Sequence, residues 1–257
     1  DERNSMKGNP IKGANYLIKG FGLILQPKLR MFVLVPLLIN TTIFTLLIFL
    51  TLGQFNDWIN NLLSWFPDWE WLSFIRTFIW SLVFTLLLIV VTYSYSTVAN
   101  LIASPFNGLL AEKTEELLTN QEINASETFL QAIKDTPRII AKEIHKLMYY
   151  LHRALLVLIL SVITSFILPP ISTLLWFLLG AWMMSFHYCD YPMDNHKHSL
   201  TTVKSAIAYH RLTSLGFGSA VMFGTMIPFV NFIIIPAAVC GATVYWVDQL
   251  SDDDALV

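Results

Sequence analysis

The chain has 257 residues, of which 55% are hydrophobic and 13% charged, with 16 Lys and Arg set against 18 Asp and Glu. That charged fraction is about half the usual quarter of a soluble domain, and the near balance of signs excludes the strongly basic surface expected of a nucleic-acid binder. Two cysteines exclude a disulfide framework. The apolar excess lies in four charge-free stretches, Met31 to Asn56, Thr77 to Ala111, Ala154 to Cys189 and Leu212 to Val247. Each is long enough to enter a bilayer, so an integral membrane protein follows.

Residues 1 to 5, ahead of Met6, are expected to be a leftover of expression, and a single membrane domain is expected over residues 6 to 257. The first apolar stretch continues too far for a cleavable leader and reads as a retained span. Before it, Lys7, Lys12, Lys19, Lys28 and Arg30 alternate with Tyr16, Leu17, Phe21, Leu23 and Ile24. Such a basic amphipathic segment suits a membrane surface of anionic lipid, with Pro27 turning the chain into a first span from Met31 to about Leu52. Pro36 falls early enough in that helix to be tolerated. From Gln54 to Arg76 a polar connection sets Asp57, Asp68 and Glu70 among Trp58, Trp65, Trp69 and Trp71, the pattern of an interfacial belt. The second span is expected from about Phe78 to Ala103.

The stretch from Thr77 to Ala111 would make a helix of roughly 50 Å, well beyond about 30 Å of hydrocarbon. An interruption is therefore predicted at Ser104-Pro105-Phe106-Asn107-Gly108, with Ser104 as cap, Pro105 in the first helical position and Gly108 admitting a close neighbour. A helix starting there would offer backbone N–H groups at Gly108, Leu109 and Leu110 to an anion. Arg30 and Lys28, at the mouth of the first span, are the basic side chains expected to assist. Glu112 would repel a dianion unless it points away or pairs with a cation. An ordinary capped helix start is the other reading of the same residues. Arg138 and Arg153 are candidates for a basic entrance or for interfacial anchors, and Asn40, Ser96, Thr97 and Asn100 for a polar path or interhelical bonds.

From Glu112 to Arg153 the chain reads as a helical layer outside the membrane, divided at Pro137. The last two apolar stretches are each broken near the middle, by Pro169-Pro170 and by Pro228. Both are too short for two full crossings, which leaves a hairpin of short helices or one kinked span. Hairpins place 15 of the 16 Lys and Arg on one side, with Arg76 alone opposite, which favours hairpins and a cytoplasmic N-terminus. Asp190 to Asp194 reads as a turn leaving the membrane, its two acids able to accept from nearby basic groups. His187, Cys189, His196 and His198 lack the spacing of a metal centre, so no metal and no cofactor are expected. His145, His152 and His210 could confer pH dependence. No nucleophile elbow, phosphate loop or zinc-protease motif is present, and an enzyme is not expected.

These residues resemble the CysZ family of bacterial inner-membrane sulfate transporters. Asn107-Gly108-Leu109-Leu110-Ala111-Glu112 contains the family's GLLAE string behind Ser104-Pro105-Phe106. Tyr188-Cys189-Asp190-Tyr191-Pro192-Met193-Asp194-Asn195-His196 resembles a second signature, and Met226-Ile227-Pro228 with Val239-Cys240-Gly241-Ala242-Thr243 a third. The ordered set extends over Lys12 to Asp248. The resemblance implies an all-α membrane transport domain with two long transmembrane helices, two partially inserted helical hairpins and a cytoplasmic helical layer. It also implies sulfate uptake for cysteine biosynthesis, no ATP-binding domain and a homo-oligomer in membrane lipid. The family's oxoanion site maps here to Gly108, Leu109, Leu110 and Arg30, with Asn107, Glu112, Arg138 and Asn100 as pathway or supporting residues. Relatives present adjacent basic residues before the first span, where this chain has Arg30 followed by Met31, so Lys28 is the expected helper. Sulfite is a second candidate substrate. The different-class alternatives are a structural or regulatory subunit assisting another transporter, and a membrane enzyme acting on an anionic lipid.

Overall fold

A computed structural model describes residues 8–64, 73–121, 136–165, 168–227 and 230–251, with the side chains of 91–104 and some others outside that description. Among the described residues the structure is all helical. The helices are α1 (Pro10–Ile24), α2 (Pro27–Leu63), α3 (Ser73–Thr119), α4 (Thr136–Ser165), α5 (Pro169–Asn195), α6 (Leu200–Tyr209), α7 (Arg211–Thr225) and α8 (Asn231–Tyr245). A π-helical turn, Trp246–Leu250, follows α8 without a break. Among the described residues four segments are long and apolar enough to cross a membrane, Pro27–Thr51, Ala141–Ser165, Pro169–Asn195 and Asn231–Leu250, and Thr77–Val90 is a shorter apolar stretch within α3. The chain is a multi-pass membrane protein.

Two compact units divide it, one of Leu34–Ser104 and one of 1–33 with 105–257. The first contains most of α2 and α3, with apolar residues all round: Leu38, Phe49, Phe78 and Val90 are exposed, as a lipid-facing helix requires. Ile79, Val83, Phe84 and Leu87 form a half-buried face of α3, and Trp80 stacks on Phe84. Helix α2 continues to Leu63, so the residues from Gln54 to Leu63 extend the helix where a polar connection was expected. Trp58 is exposed on it, whereas Trp65, Trp69 and Trp71 lie outside the described residues.

The predicted interruption at Ser104-Pro105 does not occur. Helix α3 runs unbroken through 47 residues with Pro105 inside it. A proline removes one helical hydrogen bond and crowds the carbonyl four residues earlier, but long apolar helices accommodate it. The chain leaves α3 only at Asn120, whose positive φ of 53° is the left-handed stop that Asn tolerates. Asp190 to Asp194 is likewise helical, the last turn of α5 with Pro192 inside it, and α8 continues through Pro236. Of the proposed outer layer, 122–135 lies outside the described residues, and from Thr136 the chain is already α4, continuous with the apolar run.

In the second unit, α4 and α5 lie antiparallel. Lys142 meets Asp194, Lys146 meets Asp190, and Tyr149 meets Phe186 and Trp182, each step up one helix matched by a step down the other. Helices α7 and α8 are also antiparallel, with Ser214 on Tyr245 at one end and Gly224 beside Ile234 at the other. The closed ends of the two pairs lie together, because Phe177 and Phe223 are 5.4 Å apart and Met222 sits against Gly180. Leu168, Leu174, Met226, Ile227 and Phe232 are exposed around those ends.

Helix α1 was expected to present its apolar residues to lipid, but Gly13, Tyr16, Leu17, Gly20 and Ile24 are buried in the protein. They face α7 and α8, which α1 crosses at backbone contact. A Cβ on Gly13 would stand 2.0 Å from Thr213 O, and one on Gly20 would stand 2.0 Å from Ala237 O. Asn9 caps the helix by accepting from Ile11 N–H. Tyr16 stacks on Tyr245 and donates to the Asp248 carboxylate, which also pairs with Lys12 at 3.0 Å. The outer face keeps Ile11, Ile18 and Leu25 exposed. Gly22, two residues from Gly20, has open space where a Cβ would stand. Gly20→Ala is therefore expected to lower the thermal unfolding midpoint in detergent, at a cost of about 1–3 kcal/mol or more from overpacking against backbone. Gly22→Ala is expected to leave it unchanged or raise it slightly. Equal midpoints for the two variants would contradict this account of the crossing.

Candidate functional site

The segment Asn107–Glu116 of α3 meets three other parts of the second unit. Leu110 and Ala111 are fully buried in its core with Leu29, Cys189, Met193 and Cys240. Thr114 Oγ1 donates to Leu110 O at 2.6 Å and lies 3.3 Å from Cys240 Sγ. The polar residues of the segment turn toward the last turn of α5. Asn195 Nδ2 donates to Gly108 O at 3.0 Å, and Asn107 Nδ2 donates to Tyr191 OH at 3.3 Å. The first two signature strings of the sequence thus meet side by side.

Glu115 closes the cluster. Its Oε1 lies 2.8 Å from His196 Nε2 and accepts from Trp246 Nε1 at 3.1 Å, while its buried Oε2 has no hydrogen-bond partner among the described residues. The π turn matters here because it follows α8 with one wider coil, setting Trp246 toward Glu115 and Asp248 toward Tyr16. The hydrogen bond to Glu115 outweighs burial and raises the His196 pKa above its usual value. His198 moves the other way, lowered first by burial and then by the His196 and Lys142 charges.

Behind Tyr191 a ladder of charge joins α4 to α5. Arg138 holds Asp194 with two hydrogen bonds of 2.9 and 3.3 Å. Lys142 bonds Asp190 and Asp194, and Lys146 pairs with Asp190 at 2.8 Å and with Glu143 at 2.7 Å. Lys146 and Asp190 each keep only 6% of their side-chain surface exposed. Removing one member of such a buried pair costs about 3–5 kcal/mol, whereas Arg138, 40% exposed, belongs to the class worth under about 1 kcal/mol. The expectation that the two aspartates accept from basic neighbours is met, and it is met inside a helix rather than in a turn.

The proposed anion donors are arranged differently from the expectation. Gly108, Leu109 and Leu110 lie inside α3, where their N–H groups belong to the helix. Gly108 is nevertheless open: among the described residues, and apart from its own helix backbone, a Cβ there would meet only Asn195 Oδ1, at 3.9 Å. Arg30 is exposed and its Nε donates to Leu25 O at 2.8 Å, at the end of α1, and Lys28 is exposed. The structure does not bring Arg30 within 4 Å of the open face of Gly108. Glu112 is buried and pairs with Lys113 at 3.3 Å, which meets the condition for its tolerance near an anion. Arg138 is engaged by Asp194, and the Asn100 side chain lies outside the described residues. No group of three or more metal-ligating side chains is found among the described residues. Tyr191, Asn195, Glu115 and Trp246 were not singled out as site residues. The repeat of basic residues at 138, 142 and 146 against acids at 190 and 194 was a legible signal for the ladder, but nothing local marked Glu115 or Trp246.

Two antiparallel helix pairs in an apolar chain, meeting a buried polar cluster on a long apolar helix, define an all-α membrane protein with a polar site at one end of its bundle. The chain belongs to the family described as Sulfate transporter CysZ/Etoposide-induced protein 2.4, which it matches over residues 16–236. It is 44% identical over 238 residues to a protein of Pectobacterium atrosepticum called Sulfate transporter CysZ, an alignment covering 92% of this chain and 85% of that relative.

The His196–Glu115 contact carries a pH signature. A histidine whose folded pKa is raised stabilises the fold fully below its unfolded value of about 6.5, and that contribution disappears as pH rises through the folded value. The unfolding midpoint of the native chain minus that of His196→Gln is expected to be largest on the acid side and to shrink toward alkaline pH. A difference that is flat, or that grows with pH, would show that Glu115 does not hold a protonated His196.

Proposed function

We propose that this chain carries sulfate across the bacterial inner membrane, with an oxoanion site on the Gly108–Leu110 segment of α3. The observation that carries the reading is the open backbone face of the half-buried Gly108, in a unit where Gly13, Gly20, Gly216 and Gly218 are filled by neighbouring atoms and Gly22, also open, stands on the exposed side of α1. Family membership and the name of the 44% identical relative give the substrate class. Donation by the N–H groups of Gly108, Leu109 and Leu110 requires α3 to open one turn earlier. Pro105, which has no N–H to give, makes that turn the weakest in the helix, and Asn107 is a residue suited to capping a helix that restarts behind it. Arg30, with Lys28 beside it, supplies the positive charge on this reading by exchanging Leu25 O for the anion. The imported sulfate feeds cysteine biosynthesis, sulfite is a second candidate cargo, and the working form is a homo-oligomer.

On the same reading α2 and α3 cross the membrane, whereas the two helix pairs enter it from the cytoplasmic side and return. Helix α7 has 15 residues, about 22 Å, short of the roughly 30 Å of hydrocarbon, so α7 and α8 do not offer two full crossings. Their exposed apolar ends suit burial among lipid or partner subunits, and the N-terminus is cytoplasmic.

Vesicles containing only this chain are expected to take up radiolabelled sulfate. Gly108→Leu, which fills the open face, is expected to reduce the flux at least tenfold with the protein still folded. Flux that needs a second protein would replace the transporter reading with that of an assisting subunit. Single cysteines placed at positions 170 and 226 are expected to resist membrane-impermeant thiol reagents added from the periplasmic side of right-side-out vesicles. Labelling there would mean a full crossing.

A further inference from the structure

Asn195 is the last residue of α5 and stands half-buried against α3. Its Nδ2 donates to Gly108 O at 3.0 Å, which fixes the orientation of the carboxamide, since only the nitrogen can donate to a carbonyl. The oxygen therefore turns toward the open side of Gly108, where it lies 3.9 Å from a Cβ position. One residue earlier, the Asn107 carboxamide donates to Tyr191 OH, itself 3.4 Å from His187 Nε2. The surroundings of Gly108 are thus neutral side chains, and the atom nearest the open backbone is an acceptor.

We propose that Asn195 determines which oxoanions the Gly108 face accepts, a role that rests on the reading of that face as the sulfate site. With Nδ2 on Gly108 O, Asn195 presents Oδ1, and an acceptor repels an anion that has only lone pairs to offer. A half-turn of the carboxamide exchanges the two atoms. Nδ2 then donates to the anion, while Gly108 O keeps its helical partner four residues on. The exchange gives up one neutral hydrogen bond between α5 and α3, turns Oδ1 toward the Gly108 carbonyl so that the carboxamide must swing away from it, and forms a charge-assisted hydrogen bond, roughly twice as strong as the one lost. Sulfate at neutral pH carries no proton and requires the half-turn. Inorganic phosphate retains a proton there, and its O–H can donate to Oδ1 as it stands. The identity of the atom offered at this position therefore separates the two anions, which are otherwise alike in size and shape.

The test is equilibrium binding of radiolabelled sulfate to the full-length chain in detergent near neutral pH, with inorganic phosphate as competitor. Asn195→Asp, an acceptor in either orientation, is expected to weaken sulfate at least tenfold and to reduce the preference for sulfate over phosphate at least tenfold, about 1.4 kcal/mol for each factor. Asn195→Leu removes both atoms, so sulfate weakens and the preference moves toward parity; it carries the test alone if the Asp variant does not fold. Asn195→Gln, which keeps the amide, is expected to retain most of both. Gly108→Leu serves as the control for the site itself. If Gly108→Leu abolishes binding while the Asp and Leu variants keep native affinity and preference, the role of Asn195 is overturned and the site stands. Weakened sulfate binding with an unchanged preference in both variants makes Asn195 a structural tie and also overturns it. If Gly108→Leu binds sulfate normally, the site and the inference fall together.

Discussion

Buried charge fixes the register of this protein. Lys146 and Asp190 are almost completely enclosed, and neither can be left without the other in a low-dielectric setting. Their pairing, with Lys142 bridging Asp190 and Asp194, allows one alignment of α4 against α5. A slip of a single helical turn would set Lys146 against Phe186 or Asp194 and leave one aspartate with apolar neighbours. That alignment also positions the far side of α5, so Tyr191 and Asn195 reach Asn107 and Gly108 on α3. The ladder is consequently not part of the candidate site, yet the site depends on it for its geometry.

A second constraint acts where α1 crosses the bundle. Helix α1 can approach α7 and α8 to backbone contact only where Gly13 and Gly20 face them. Close approach of this kind suits a bundle in lipid, where apolar burial between helices gives little and van der Waals packing must do more. The same crossing brings Tyr16 to Asp248, and burial together with that carboxylate pushes the Tyr16 phenol well above its ordinary pKa, keeping it a donor. Asp248 and Trp246 share one π turn, so a single local widening of the helix serves both the α1 contact and the Glu115 contact.

How far the sequence foretold this can be argued from its prolines. Pro169-Pro170 was read as a break and is the start of α5, because two prolines in the first turn remove only N–H groups that would lack helical partners in any case. Pro105 was read the same way and Pro192 as part of a turn, yet both lie inside a helix. In water a helix interior loses about 3 kcal/mol to a proline and commonly ends there. In a membrane the alternative is worse, since a chain that stops being helical exposes more backbone groups than the one carbonyl a proline leaves over. Local chemistry was therefore a sound guide to where α5 begins and a poor one to where α3 ends. The GLLAE string was legible as a place of interest. What faced it was not, because Asn195 and Tyr191 are some eighty residues away and only the helix pairing brings them there.

Charge around the candidate site has a consequence for how an anion would be handled. Arg138, Lys142, Lys146 and Lys113 are each paired, and the acids Asp190, Asp194, Glu143, Glu112 and Glu116 already occupy them. Glu115 adds a further buried carboxylate. Among the described residues, these paired cations offer an arriving dianion no surplus of positive charge. On the proposed reading, recognition at Gly108 would come from uncharged donors, with help from Arg30 at the end of α1, whose Nε donates to a backbone carbonyl. A site of that composition holds a dianion weakly. Weak holding is what permeation needs, because an ion bound by several fixed cations would enter readily and leave slowly. The membrane potential adds to the requirement: inward movement of two negative charges is opposed by several kcal/mol at about 100 mV. Strong binding would deepen the well from which that climb begins, and a site of neutral amides keeps it shallow.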